Sequence, residues 1–210
     1  VFKKYLVYFL ILVYVSGAIG FLFKPAFFSA FTPFTLVFTS FVFLIHQPIN
    51  TLNYVLSFIA LAVIGFVAEV IGVKTGITFG NYFYGNALGY KLLAVPIVIS
   101  LNWALLINIG VLTASYLSAK PLLISVFSSI IITSVDVLIE QVTSQLDFWH
   151  FQQGIAGIHN YLGWFLISFV AAWFLQKHLL KGDKKTALII LLLQLFFFGL
   201  IYINKLYNFV

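Results

Sequence analysis

From Asp136 to Trp164 the chain reads DVLIEQVTSQLDFWHFQQGIAGIHNYLGW. This stretch holds three of the five acidic residues and two of the four histidines in a chain of 210. Asp136 and Glu140 stand four residues apart, so a helix puts them on one face. Read backwards, that face passes through Thr133, Ser129 and Ser125; read forwards, it runs to Thr143 and Asp147. The rest of the helix is Ile, Val, Leu and Phe. A polar stripe ending in carboxylates is expensive against lipid, so it is expected to face other helices or a wet cavity.

Composition places this helix in a membrane. The chain is 63% hydrophobic and 8% charged, with a mean hydropathy of +1.13, too little polar surface for a water-soluble fold. Apolar runs of about 20 residues recur, each long enough to cross a hydrocarbon core of roughly 30 Å as helix. The alternating ten-residue strands of a membrane β-barrel are not seen. The expected fold is all-α, a polytopic membrane helical bundle of about seven transmembrane helices, forming a single integral membrane domain over residues 1–210. The formal charge of +6 comes from lysine alone. The lysines lie near the ends of apolar runs rather than in one basic surface, which argues against nucleic acid as a partner. With no cysteine, disulfides, thiolate metal sites and thiol nucleophiles are excluded.

The spans are expected at 5–23, 27–45, 52–73 and 92–117, then a fifth opening at Lys120-Pro121 and carrying the carboxylate stripe, then 158–175 and 186–202. Lys3 and Lys4 before an apolar run resemble a signal peptide, but no soluble portion follows, and the segment is read as the first span. Asn102, Trp103 and Asn108 lie inside the fourth. With seven spans, Lys3, Lys4, Lys120, Lys177, Lys181, Lys184 and Lys185 share one side, and Lys24, Lys74, Lys91 and Lys205 the other. Positive-inside bias then predicts a cytoplasmic N-terminus. The same topology brings Glu69, the loop GVKTGITFGNYFYGNALGYK, Asp136, Glu140 and the loop from Asp147 to His159 to one membrane face. Two segments remote in sequence are expected to form one shallow site.

Glu69 interrupts the apolar run FVAEVIG and must be paired, hydrated or protonated there. A carboxyl group removed from water favours its neutral form, which suits an acid catalyst. Asp136 and Glu140 are adjacent like charges and are expected to share a proton, although a polar helix–helix clamp uses the same residues. Asp147 is equally readable as a salt bridge or loop cap, and His159-Asn160 as a helix start or a site wall. Trp103, Trp149 and Trp164 are ordinary interface anchors taken singly; beside the acidic motifs they read as site lining. Asp136, Glu140, His150 and His159 could in principle hold a metal, but paired ligand spacings of the di-iron or zinc type are missing, so no metal is expected. No phosphate loop, Asp-rich diphosphate motif or nucleophile elbow is found.

Two blocks resemble a known family. Ala68-Glu69, Gly72, Phe79-Gly80-Asn81-Tyr82-Phe83-Tyr84, Val95-Pro96 and Trp103 are similar to the first signature of membrane carotenoid-biosynthesis proteins. That group includes carotenoid 1,2-hydratases and bisanhydrobacterioruberin hydratase. Asp136, Glu140, Trp149, Gly157-Ile158, Asn160 and Gly163-Trp164 are similar to the second signature, with Gln141 and His159 standing where the pattern has prolines. The resemblance covers roughly residues 60 to 175.

It implies a hydro-lyase that needs no cofactor and hydrates the terminal double bond of an acyclic carotenoid end group to a tertiary alcohol. Its partners would be a lipid-soluble carotenoid, water, membrane lipid and other membrane enzymes of carotenoid synthesis. A bacterial cytoplasmic membrane is the expected location. Glu69, Asp136 and Glu140 are the expected catalytic groups, with Glu69 or Asp136 as acid. Tyr82, Tyr84, Trp103, Trp149, Asn160 and Trp164 are the expected substrate contacts. A membrane lycopene-type cyclase would begin with the same protonation. A small proton- or ion-coupled transporter would also bury carboxylates, but with paired repeats and a midplane site.

Overall fold

A computed structural model describes residues 2–207. Helix α1 (Phe2–Phe23) is followed by the short α2 (Pro25–Ser29), α3 (Thr32–Ile45) and α4 (Leu52–Thr75). Strand β1 (Tyr82–Tyr84) and the hairpin β2 (Lys91–Leu92) and β3 (Val95–Pro96) come next, then α5 (Val98–Ala114) and α6 (Pro121–Glu140). Strand β4 (Trp149–Phe151), α7 (Ile158–Leu179) and α8 (Lys184–Tyr207) complete the order. Helices α1, α4, α6, α7 and α8 are long and apolar enough to cross a membrane, and α3 and α5 are shorter apolar helices. The all-α helical bundle read from the sequence is the observed architecture, with five of the expected seven spans long enough to cross a membrane among the described residues.

Helix α5 is the axle. It is buried on every side along most of its 17 residues and packs against α3, α4, α6, α7 and α8. That explains a helix apolar all round with no polar face. Gly65 lets α4 approach it: a Cβ there would lie 2.2 Å from Cβ and Cγ of Trp103. The most extensively packed pair, α6 and α7, encloses the polar stripe. Ser125, Ser129 and Asp136 are all buried, and Gln176 of α7 donates to Ser125 Oγ at 3.0 Å.

Three departures from the sequence reading bear on the site. The second span is two helices, because Pro33 has no N–H to bond back to the preceding turn, and the chain restarts as α3. The fourth span begins at Val98; residues before it form the β2–β3 hairpin, registered Lys91↔Pro96 and Leu92↔Val95. Its turn residues Leu93 and Ala94 both have positive φ, 52° and 69°, as a tight two-residue hairpin requires. Finally, α6 ends at Glu140. The polar face therefore stops before Thr143 and Asp147, and Asp147 turns away with a φ of 53°.

Candidate active site

Glu69 sits near the end of α4, 3% exposed. Below it, Gly76 takes a left-handed conformation (φ 70°) and its N–H returns to the Gly72 carbonyl at 2.8 Å. This C-cap turns the chain back towards the helix it has left. Strand β1 then passes beside Glu69 with alternating burial. Because alternate residues share a face, Tyr82 and Tyr84 both point inwards. Their hydroxyls donate to Glu69 Oε2 at 2.5 and 2.7 Å, while Trp103 Nε1 of α5 donates to Oε1 at 2.9 Å. Three donors converge on one carboxyl group and offset part of the cost that burial imposes on its ionised form. Burial, reinforced by the adjacent Glu69 carboxylate, pushes both tyrosine hydroxyls well above their ordinary range, so they remain donors.

The second carboxyl set arrives from α6. Asn160, in the first turn of α7, donates through Nδ2 to Asp136 Oδ2 (2.8 Å) and Glu140 Oε1 (3.3 Å). Trp149 Nε1 also donates to Glu140 Oε1, at 3.0 Å. Asp136 Oδ1 is buried and has no hydrogen-bond partner among the described residues. One turn beyond Asn160, Trp164 stacks on Trp103 with ring centroids 3.9 Å apart and planes within 3°. Phe79 leans on both. The preceding Gly163 permits this, since a Cβ there would come within 2.1 Å of the Thr78 carbonyl oxygen.

The two sets are joined by a strand pair. Strand β1 runs antiparallel to β4, with Tyr82 opposite Phe151 and Tyr84 opposite Trp149. All four rings lie on the inner face. Phe83 and His150 lie on the outer one, stacked at 5.2 Å. Asp147 Oδ1 pairs with His150 Nε2 at 2.9 Å, and its Oδ2 accepts from the Asn86 N–H at 2.8 Å. These contacts, the Asn86 N–H foremost, hold the Asp147 carboxyl below its usual value.

Between these residues is a hollow of about 20 Å³, lined by Glu69, Glu140, Asn160, Asn102 and the inner aromatic rings. That is room for one water molecule with several polar partners. Ile99, Asn102 and Trp149 also line a second, larger space of about 330 Å³ between α1, α2, α3 and α8. A polar pocket and an apolar groove thus share a wall.

Residues 30–209 match the family model described as "Carotenoid biosynthesis protein". The chain belongs to that family. No curated protein and no solved structure matches it.

In this carotenoid biosynthesis protein, every residue singled out from the sequence as catalytic or contacting falls within one cluster, though not in equal positions. Glu69 and Glu140 face the hollow; Asp136 lies behind Asn160, outside its lining. Tyr82, Tyr84, Trp149, Asn160 and Trp164 line it, whereas Trp103 backs Glu69. His150 is taken up by Asp147 and His159 is exposed, so neither histidine joins the carboxyls. Asn102, Phe79 and Phe151 line the hollow as well and were not assigned from sequence. For Asn102 the signal was an amide beside Trp103 within an apolar span.

Proposed function

We propose that this protein is a cofactor-free hydro-lyase that adds water to the terminal carbon–carbon double bond of an acyclic carotenoid end group. The observation that carries this reading is the water-sized hollow between Glu69 and Glu140, walled off from an apolar groove only by Ile99, Asn102 and Trp149. Asp136 and Glu140, bridged by one amide donor, hold a single proton between them, because two adjacent carboxyls do not both ionise readily. Glu140 faces the hollow and delivers that proton to the less substituted alkene carbon. The resulting tertiary cation lies near the Glu69 carboxylate, whose charge is fixed by Tyr82, Tyr84 and Trp103. Aromatic faces add about 1–2 kcal/mol each when dry. Water held in the hollow bonds to the cationic carbon and releases its proton to Glu69, from which it returns to the Asp136/Glu140 pair. One water is added and no other group is consumed.

The sequence reading left Glu69 and Asp136 as rival acids. The three donors on Glu69 favour it as the counter-charge, and the position of Glu140 favours it as the donor with Asp136 behind. A cyclase would quench the cation with an internal alkene and would have no use for a hollow of this size. The test is mass spectrometry of pigments from a lycopene-accumulating bacterial host expressing the chain. The expected result is a gain of one or two waters, lost in Glu69→Gln and Asp136→Asn. An unchanged mass with an altered absorption spectrum would replace hydration by cyclisation, and unaltered pigments would remove the enzymatic reading.

A further inference from the structure

The larger groove has properties that its size alone does not explain. A second apolar crevice, between α4 and α7 and lined by residues such as Ala60, Ile64, Val170 and Phe174, is larger still at about 440 Å³. That crevice touches none of the carboxyl groups and has the character of a gap between lipid-facing helices. The groove between α1, α2, α3 and α8 differs in three respects. It adjoins the acid pocket at Ile99, Asn102 and Trp149. Its mouth lies where the second span is broken, among Phe27, Phe31 and Phe34, which are 59%, 50% and 63% exposed. It also has a floor: Tyr14 and Thr39 are hydrogen-bonded at 3.2 Å beside the buried Gln194.

We propose that this groove is the binding site for the polyene chain of the substrate, which slides in sideways from the lipid through the α2–α3 corner. The ligand's identity rests on the hydratase reading; the location does not. From Phe21 to Val13 the groove follows α1 for roughly 12 Å, at about 1.5 Å per residue, and Val13 lies near the helix midpoint. The occupant is therefore a rod lying along α1, with the end at the shallow face beside Ile99, Asn102 and Trp149, next to the acids, while the remainder stays in lipid. Its walls carry ring edges and faces from Phe21, Phe28, Phe148 and Phe197, with Phe21 and Phe197 meeting edge-on at 5.4 Å. A flat conjugated chain packs well against such surfaces. The floor bounds the groove at mid-membrane, because a bare hydrocarbon there would meet the polar groups of Tyr14 and Gln194 without satisfying them.

The experiment measures lycopene binding to the purified Glu140→Gln protein in lipid nanodiscs, by quenching of tryptophan fluorescence, so that turnover does not interfere. Gly17→Phe fills the groove from α1, where an added Cβ meets Phe197 at an ordinary 3.6 Å. Thr35→Phe fills it from α3, and Ala60→Phe fills the α4–α7 crevice as the control. The expected result is at least a tenfold weaker affinity in both groove variants and an unchanged one in the control, with melting temperatures maintained. Unchanged affinity in a folded groove variant, or loss confined to Ala60→Phe, overturns the proposal. So does a phospholipid that native mass spectrometry finds retained in the groove and that lycopene fails to displace. If binding follows the groove variants but the wild type never yields a hydrated pigment, the hydratase reading fails and the groove assignment stands. If hydration persists undiminished in Gly17→Phe, the reverse holds.

Discussion

Replacing Glu69 by Gln separates folding from catalysis. Glu69 accepts three hydrogen bonds, from Tyr82, Tyr84 and Trp103, and in the proposed mechanism it accepts them as a carboxylate. Bonds to a charged acceptor contribute about 1.5–3 kcal/mol and neutral ones about 0.5–1.5, so the substitution weakens the set by roughly 3 kcal/mol. Gln also removes a buried charge, whose desolvation penalty is of order several kcal/mol. The two effects oppose each other, and the tyrosine hydroxyls can rotate to accept from the new amide. A net stability change within about 2 kcal/mol is expected, a shift of less than about 8 °C in melting temperature. The reaction has no such offset. A cation about 5 Å from the carboxylate at an effective dielectric near 20 is stabilised by about 3.3 kcal/mol, which is about 250-fold in rate. The assay is the initial rate of hydrated-pigment formation by mass spectrometry, beside thermal denaturation of the same preparation. A folded Glu69→Gln protein retaining more than about a third of the wild-type rate would refute the counter-charge role.

Four further outcomes are expected. Asn102→Leu removes a polar wall shared by hollow and groove; it should lower hydration about tenfold, the worth of one hydrogen bond of about 1.4 kcal/mol, with binding of the polyene retained. Undiminished hydration would dismiss Asn102 as a water contact. Gly163→Ala drives a Cβ against the Thr78 carbonyl and should destabilise the protein by about 1–3 kcal/mol, read as a lower melting temperature. The double change Leu93→Asn with Ala94→Gly places tolerant residues at two positive-φ positions and should raise the melting temperature by relieving about 1–2 kcal/mol at each; a drop would show that these side chains pack usefully. Asp147 has a folded value below its usual one of about 3.9, so its stabilisation is complete above that pH and is lost as pH falls through the lower folded value. Proteolysis of the 141–157 segment should therefore rise below about pH 4 in the wild type more steeply than in Asp147→Asn; parallel profiles would exclude this linkage.

How legible each part was follows from the range of the interactions that make it. The Asp136/Glu140 face needed only helical periodicity, and the buried Ser125 and Ser129 behind it follow the same rule. The convergence of Glu69 with Asp136 needed only the count of spans. The pairing of β1 with β4 left no trace, because a three-residue strand has too few alternations to register and its partner lies beyond two helices. The hairpin from Leu92 onwards reads as helix because Leu92, Leu93, Ala94 and Val95 are apolar. Pro33 and Pro96 were each visible, yet whether a proline breaks a span or starts one is decided by neighbouring helices. Asn102 illustrates the remaining gap. An isolated amide in an apolar run reads alike whether it clamps a neighbour, as Asn108 does for Tyr54 at 2.8 Å, or faces an open pocket.

The antiparallel contact between residues 82–84 and 149–151 bears on how the protein matures. Its halves are separated by the whole of α5 and α6, so neither can close the pocket until both helices have inserted and docked. Loop closure over such a distance is slow and comes late. A chain can therefore be fully threaded through the bilayer, with every helix formed, and still lack a working centre. Helical content then reports insertion alone, whereas the environment of Trp149, set by its bond to Glu140, reports competence.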